Sequence, residues 1–222
     1  MGIHPSLARH HASTGQFAGA RTDSLSSKIV TAVRDALRTL QALGIVEIRM
    51  GKGGGARIAR GNPRLFAEAL AVQLDLTGVS VQEIMDAQRA IETLAAELAA
   101  ENATAADHAK LRHLLIQSER NMHDRVAYTE LGREFHLAIA EASHNRVLVV
   151  QLISLQHVSW PRDNSTLTPD VSQRILDVHK ELATLIEIRD GAGARQLMNE
   201  HVKMIRARRV AEHGEQLHNH CC

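Results

Sequence analysis

The stretch GIVEIRMGKGGGARIA, residues 44–59, decides how the chain is divided. Two short runs, Ile45-Val46-Glu47-Ile48 and Ala56-Arg57-Ile58-Ala59, flank a lysine and four glycines, and together they predict a β-hairpin. A nucleotide-binding loop would need a strand, then glycines, then a helix whose N-terminal amides face the phosphate. Gly51, Gly53 and Ala56 do fall at G-x-G-x-x-A spacing, but the chain then runs ARIARGNP, a second short strand and a proline-broken segment. No Lys-Ser/Thr pair completes a phosphate loop, so the glycines are better suited to a hairpin whose backbone closely approaches a larger partner.

Upstream of the hairpin, Ile29, Val33, Leu37 and Leu40 recur at spacings of four and three and predict a helix over residues 26–43, ended by Gly44. Thr31, Arg34 and Arg38 share another face of that helix. Residues 5–11 suit a short helix, and 13–23 read as a loop. A helix bearing arginines, followed at once by a two-stranded wing, is how winged helix-turn-helix domains end, with the helix in the major groove of DNA and the wing near phosphates. Charge agrees. Residues 1–66 carry ten Lys/Arg against three Asp/Glu, a net +7, whereas the remainder carries 16 against 22, a net −6. A basic head on an acidic body points the head at a polyanion. The bland alternative is that Arg34 and Arg38 form only a solvated helix face.

ARGNPRLF at 59–66 reads as a linker, and beyond it helices are expected near 65–76, 80–102, 105–122, 127–144, 147–158, 171–190 and 192–213. Aromatic residues make up 2% of the chain, so the body is expected to be an antiparallel bundle cored by alanine and leucine. The expected organisation is a DNA-binding head over 1–60, a linker over 61–66, a helical body over 67–213 and a flexible tail over 214–222. No run of 18 uncharged apolar residues suggests a membrane span, and the opening MGIHPSLARHH lacks the order of a signal peptide. The only cysteines are the adjacent Cys221 and Cys222, which suits a reducing cytoplasm.

Among 14 histidines, His136, His179 and His201 sit in three separate amphipathic helices of the body. Taken singly, each reads as a buried, hydrogen-bonded core histidine. Taken together, they also fit a transition-metal site, since neutral imidazoles suit Zn, Ni, Fe or Mn. A three-histidine zinc with an open position is also the layout of a hydrolase, but no H-E-x-x-H accompanies it, and an enzyme would leave the basic head without a purpose.

VRDALRTLQALGIVEIRMGKGGGARIA at 33–59 resembles the recognition helix and wing of GntR-family bacterial transcription regulators. The stretches DAQRAIETLAAELAAENAT (86–104), REFHLAIAEASHN (133–145) and VHKELATLIEIRDGAGARQLMNEHV (178–202) resemble the all-helical FCD effector domain of the FadR-type branch of that family. The resemblance implies a homodimeric regulator, commonly a repressor, that binds double-stranded operator DNA and responds to a small carboxylate metabolite. Thr31, Arg34, Gly51 and Lys52 match its DNA-contacting positions, and Arg38 shares their helix face. His136, His179 and His201 match three ligands of a divalent metal, and Arg89 matches an arginine lining the effector pocket, with a salt bridge to Glu92 or Asp86 as the plainer alternative. Asn145 reads as a helix cap. Three departures stand out: the region ahead of residue 26 is short, Val30 replaces an arginine, and Gly132 replaces the aspartate ligand one turn before His136. Glu134 is no substitute, because two residues along a helix turn it about 200° away.

Overall fold

The computed structural model describes residues 17–51, 53–59, 63–159 and 167–219. Chain contacts divide it into two units, Met1–Asn62 and Pro63–Cys222.

The first unit holds one long helix, α1 (Phe17–Ala42), and the hairpin β1 (Val46–Arg49) and β2 (Gly55–Ile58). The strands are antiparallel, with Val46 opposite Ile58 and Arg49 opposite Gly55. Gly44 ends α1 at φ +68°, a left-handed conformation that favours glycine. Its amide donates to Gln41 O and the Ile45 amide to Leu40 O, at 3.0 and 2.9 Å, which satisfies carbonyls the helix leaves open. In the wing, a side chain at Gly54 would meet the Arg49 carbonyl oxygen at 2.3 Å, so the loop closes tightly only with glycine there.

The loop expected over 13–23 is helical from Phe17 onward. No proline interrupts 17–42, and Ala18, Ala20 and Arg21 are good helix formers, so the helix propagates past Ser26 toward the N-terminus. The expected short helix at 5–11 lies outside the described residues. The apolar stripe of α1 is open: Ile29 and Val33 are 60% and 52% exposed.

The second unit is all α: α2 (Pro63–Leu76), α3 (Val81–Asn102), α4 (Ala105–Arg120), α5 (Arg125–Ala142), α6 (Arg146–Ser159), α7 (Pro169–Glu187) and α8 (Gly191–Asn219). α2 starts at Pro63, inside the stretch expected as linker, because proline lacks only a donor that the first helical turn leaves unpaired anyway. α8 runs six residues beyond 213 into the expected tail, with no proline to stop it. Capping sets the other starts. Ser80 with Glu83 and Thr104 with Asp107 form reciprocal capping boxes, Asp124 accepts from the Val126 and Ala127 amides, and Thr168 caps α7 ahead of Pro169. Asn145 Oδ1 accepts from the Val147 amide at 3.1 Å, the capping role its sequence suggested.

The core is built as the composition implies. Ala96 and Ala99 of α3, Leu111 and Leu114 of α4, Phe135 and Ile139 of α5, Leu176, Leu182 and Ile186 of α7, and Met198 of α8 form one buried cluster. Small alanines on α3 let neighbouring helices approach closely. Among the described residues no helix is long and apolar enough to cross a membrane.

Candidate metal centre

Helices α5, α7 and α8 each bring one histidine to the same point inside the bundle. His136, His179 and His201 are 2%, 2% and 1% exposed. His179 Nε2 lies 3.1 Å from His201 Nε2, which in turn lies 3.3 Å from His136 Nε2. The His136 and His201 rings are stacked at 13°, and His179 stands nearly edge-on to both. Phe135, wholly buried, stacks on His179 with centroids 4.4 Å apart and holds that ring from behind.

The donor set fits a metal ion. Tetrahedral zinc with Zn–N near 2.0–2.1 Å separates its ligand nitrogens by roughly 3.3 Å, close to the spacings of the imidazole nitrogens here. The ligand atoms of all three histidines lie within 4.8 Å of one another. Burial, then the neighbouring His201 and His136, hold His179 well below the ordinary histidine range; burial, His136 and Arg208 do the same to His201. Both rings are therefore neutral at pH 7, with lone pairs available.

Beside the nitrogens is a cavity of about 50 Å³, lined on one side by Thr129 and Gly132 of α5 and on the other by Ile205, Arg208 and Arg209 of α8. Gly132 opens the space that an acidic ligand one turn before His136 would fill. Among the described lining residues there is no carboxylate, and there are two arginines. A groove of about 580 Å³ between α7 and α8 shares His201, Ile205 and Arg208 with this cavity and carries Val171, Val178 and Met204.

Burial of two neutral histidines makes the fold acid-sensitive. Both protonate more easily in the unfolded chain, near 6.5, than in the folded one. Their contribution to stability is complete above about pH 6.5 and is lost as pH falls below it, by up to about 1.4 kcal/mol per pH unit for each histidine. Urea midpoints measured in chelator at pH 7.5 and 5.5 should show a clearly less stable protein at the lower pH; equal midpoints would mean that the two rings are not buried neutral.

Behind His136 are two residues whose part in this site sequence reading missed. Glu92, 1% exposed, accepts from His136 Nδ1 through Oε2, and Gln88 Nε2 donates to Glu92 Oε1. Their signal was their position. Residues 84, 85, 88, 92, 95, 96, 99 and 100 form the buried stripe of α3, and two polar side chains on such a stripe need an internal partner. Arg89 is not brought to the histidines. It lines a shallow surface depression with Thr93, Leu94, Arg195 and Asn199, and its guanidinium lies 3.9 Å from Asp86, not beside Glu92.

In the first unit, Thr31, Arg34 and Arg38 are exposed along one face of α1. Thr31 Oγ1 donates back to Ser27 O at 2.9 Å, and Arg38 is 3.6 Å from Asp35. Gly51 sits in the wing loop at φ +99°, and Lys52 lies outside the described residues.

Residues 83–204 match the FCD domain family. The Uxu operon transcriptional regulator of Escherichia coli K12 is 30% identical over 190 residues, covering 80% of this chain and 71% of that protein. The HTH-type transcriptional regulator LutR of Bacillus subtilis is 29% identical over 182 residues, 78% of this chain and 80% of LutR. Among solved structures, a GntR protein of Streptococcus agalactiae superposes with a TM-score of 0.59 at 21% identity, covering 80% of this chain and 81% of that one.

Proposed function

Because the chain belongs to the GntR-family transcriptional regulators with an FCD domain, and so is a regulator and not an enzyme, we propose that it is a cytoplasmic, homodimeric repressor released from operator DNA by a small organic acid. The observation that carries the sensing half is the convergence of three buried imidazole nitrogens beside a cavity lined by Arg208 and Arg209. His136, His179 and His201 would hold a divalent ion such as Zn, Ni, Fe or Mn, and a bound ion offers an open position to a carboxylate. Arg208 and Arg209 supply positive charge on the cavity wall, the chemistry that favours an anion there. The structural position of Arg89 favours its plainer role, a surface ion pair with Asp86.

For the DNA half, Thr31, Arg34 and Arg38 would face the major groove, with Gly51 and Lys52 of the wing near the backbone. Two copies on a near-palindromic site would double every contact. An acid would act by binding one arrangement of the heads better than the other.

The test is fluorescence anisotropy on a labelled duplex from upstream of the gene, across a salt series, with and without zinc and a panel of short hydroxy acids and sugar acids. The expected result is a preference of at least tenfold over scrambled duplex and a log–log salt slope of about −4 or steeper, as four or more neutralised phosphates require. Arg34→Ala should cost about 1–3 kcal/mol of that binding, and an acid from the panel should weaken it. A second reading, a head that no longer reads sequence, has one observation in its favour: the open stripe at Ile29 and Val33. Equal, weak binding to both duplexes would establish it.

A further inference from the structure

We infer that Glu92, itself held by Gln88, is a positioning residue that fixes His136 as an Nε2 metal ligand and thereby sets the affinity of the three-histidine centre; this rests on the metal-site reading above. Glu92 and His136 are 44 residues apart on α3 and α5, and both are almost fully buried. A carboxylate placed there without partners would cost several kcal/mol. Instead each oxygen is used: Oε2 accepts a hydrogen bond from His136 Nδ1–H, and Oε1 accepts one from Nε2–H of Gln88, which is also buried.

The consequence lies on the other side of the ring. A carboxylate oxygen only accepts, so in the neutral ring that binds a metal the proton sits on Nδ1 and the lone pair on Nε2. That lone pair points at His201 Nε2, 3.3 Å away, while His179 Nε2 approaches the same atom at 3.1 Å. His201 Nε2 can carry one proton, which serves one of these two neighbours. A cation accepting three lone pairs satisfies all three nitrogens at once. Glu92 therefore prepares the cluster for a cation and stops the His136 ring from turning its other edge inward.

Packing alone does not explain the pair. Met85, Ala95 and Ala96 occupy neighbouring positions of the same buried stripe and are apolar. An apolar residue of similar volume at 92 would fill the space without burying a charge, and such replacements are often neutral or stabilising when both partners are changed. Carboxylates behind metal-bound histidines orient the ring, and losing one typically lowers metal affinity 10- to 100-fold.

The experiment measures zinc affinity of the full chain by competition with a chromogenic chelator for wild type, Glu92→Gln, Glu92→Met and His136→Ala, alongside the d–d spectrum of each with cobalt(II). Ring ¹⁵N correlations of metal-free wild type read the His136 tautomer directly, without any substitution. Expected are a 10- to 100-fold weaker zinc complex for Glu92→Met, a smaller loss for Glu92→Gln, an altered cobalt spectrum in both, and an Nδ1–H tautomer for His136. A Glu92→Met protein that keeps its helical melting curve and binds zinc within twofold of wild type would overturn the inference, as would an Nε2–H tautomer. Should Glu92→Met fail to fold, the wild-type tautomer decides. Wild type that binds no zinc would instead defeat the metal reading itself, a result separate from zinc binding that is indifferent to Glu92.

Discussion

His201→Ala is expected to weaken zinc binding by two orders of magnitude or more. His201 is the middle member of the cluster, since its Nε2 is 3.1 Å from that of His179 and 3.3 Å from that of His136. Its loss leaves two imidazoles and no neighbouring acid among the described cavity residues. Structural zinc sites contribute roughly 10–16 kcal/mol over four ligands, so one ligand accounts for about 3 kcal/mol, or more than a hundredfold. Gly132→Asp is the opposite arm. Residue 132 lines the same cavity one helical turn before His136, and aspartate there adds an anionic oxygen on the same face. Zinc affinity should rise at least tenfold, and sensitivity to added carboxylate should fall. Chelator competition on the two variants reads both effects. Unchanged affinity in His201→Ala would mean that the ion is held elsewhere on a histidine-rich chain.

Phe135→Ala should be the most damaging single core change, at about 3–5 kcal/mol. The ring is completely buried in the main core cluster, and it stacks on His179 at 4.4 Å while meeting His136 edge-on at 6.3 Å. Truncation opens a cavity in the core and removes the wall behind His179, one of the three candidate metal ligands. For a unit of this size the melting temperature should drop by roughly 10 °C, and zinc should bind more weakly as His179 gains freedom. Thermal melts by circular dichroism, with Val147→Ala as an exposed control expected within about 0.5 kcal/mol, check the size. A loss no larger than the control's would show that the ring is not packed as described.

Much of the architecture was legible along the chain because it is decided locally. Ser80, Thr104, Asp124 and Thr168 announce helix starts through side chains that reach their own backbone, and Gly44 announces a helix end through its left-handed φ. The wing was legible because glycines separate two short runs bounded by a helix-ending glycine and a proline-broken segment. Boundaries failed where composition was read as a signal to stop. The stretch STGQFAGARTD at 13–23, with its two glycines, read as loop, yet without proline α1 continues from Phe17, and α8 likewise passes Gly214.

The sequence by itself thus determined a basic wing-bearing head, an acidic alanine–leucine bundle, and three histidines on separate helices, because helical period, caps and charge are properties of neighbouring residues. Tertiary structure alone decided which polar groups meet. Glu92 was readable as a partner of Arg89 on its own helix, but the rotation of α3 turns it inward to His136, across 44 residues, and leaves Arg89 with Asp86 at the surface. Spacing along one helix says which residues share a face; the packing of that helix against α5 and α8 says what the face meets, and the chemistry of this centre is made there.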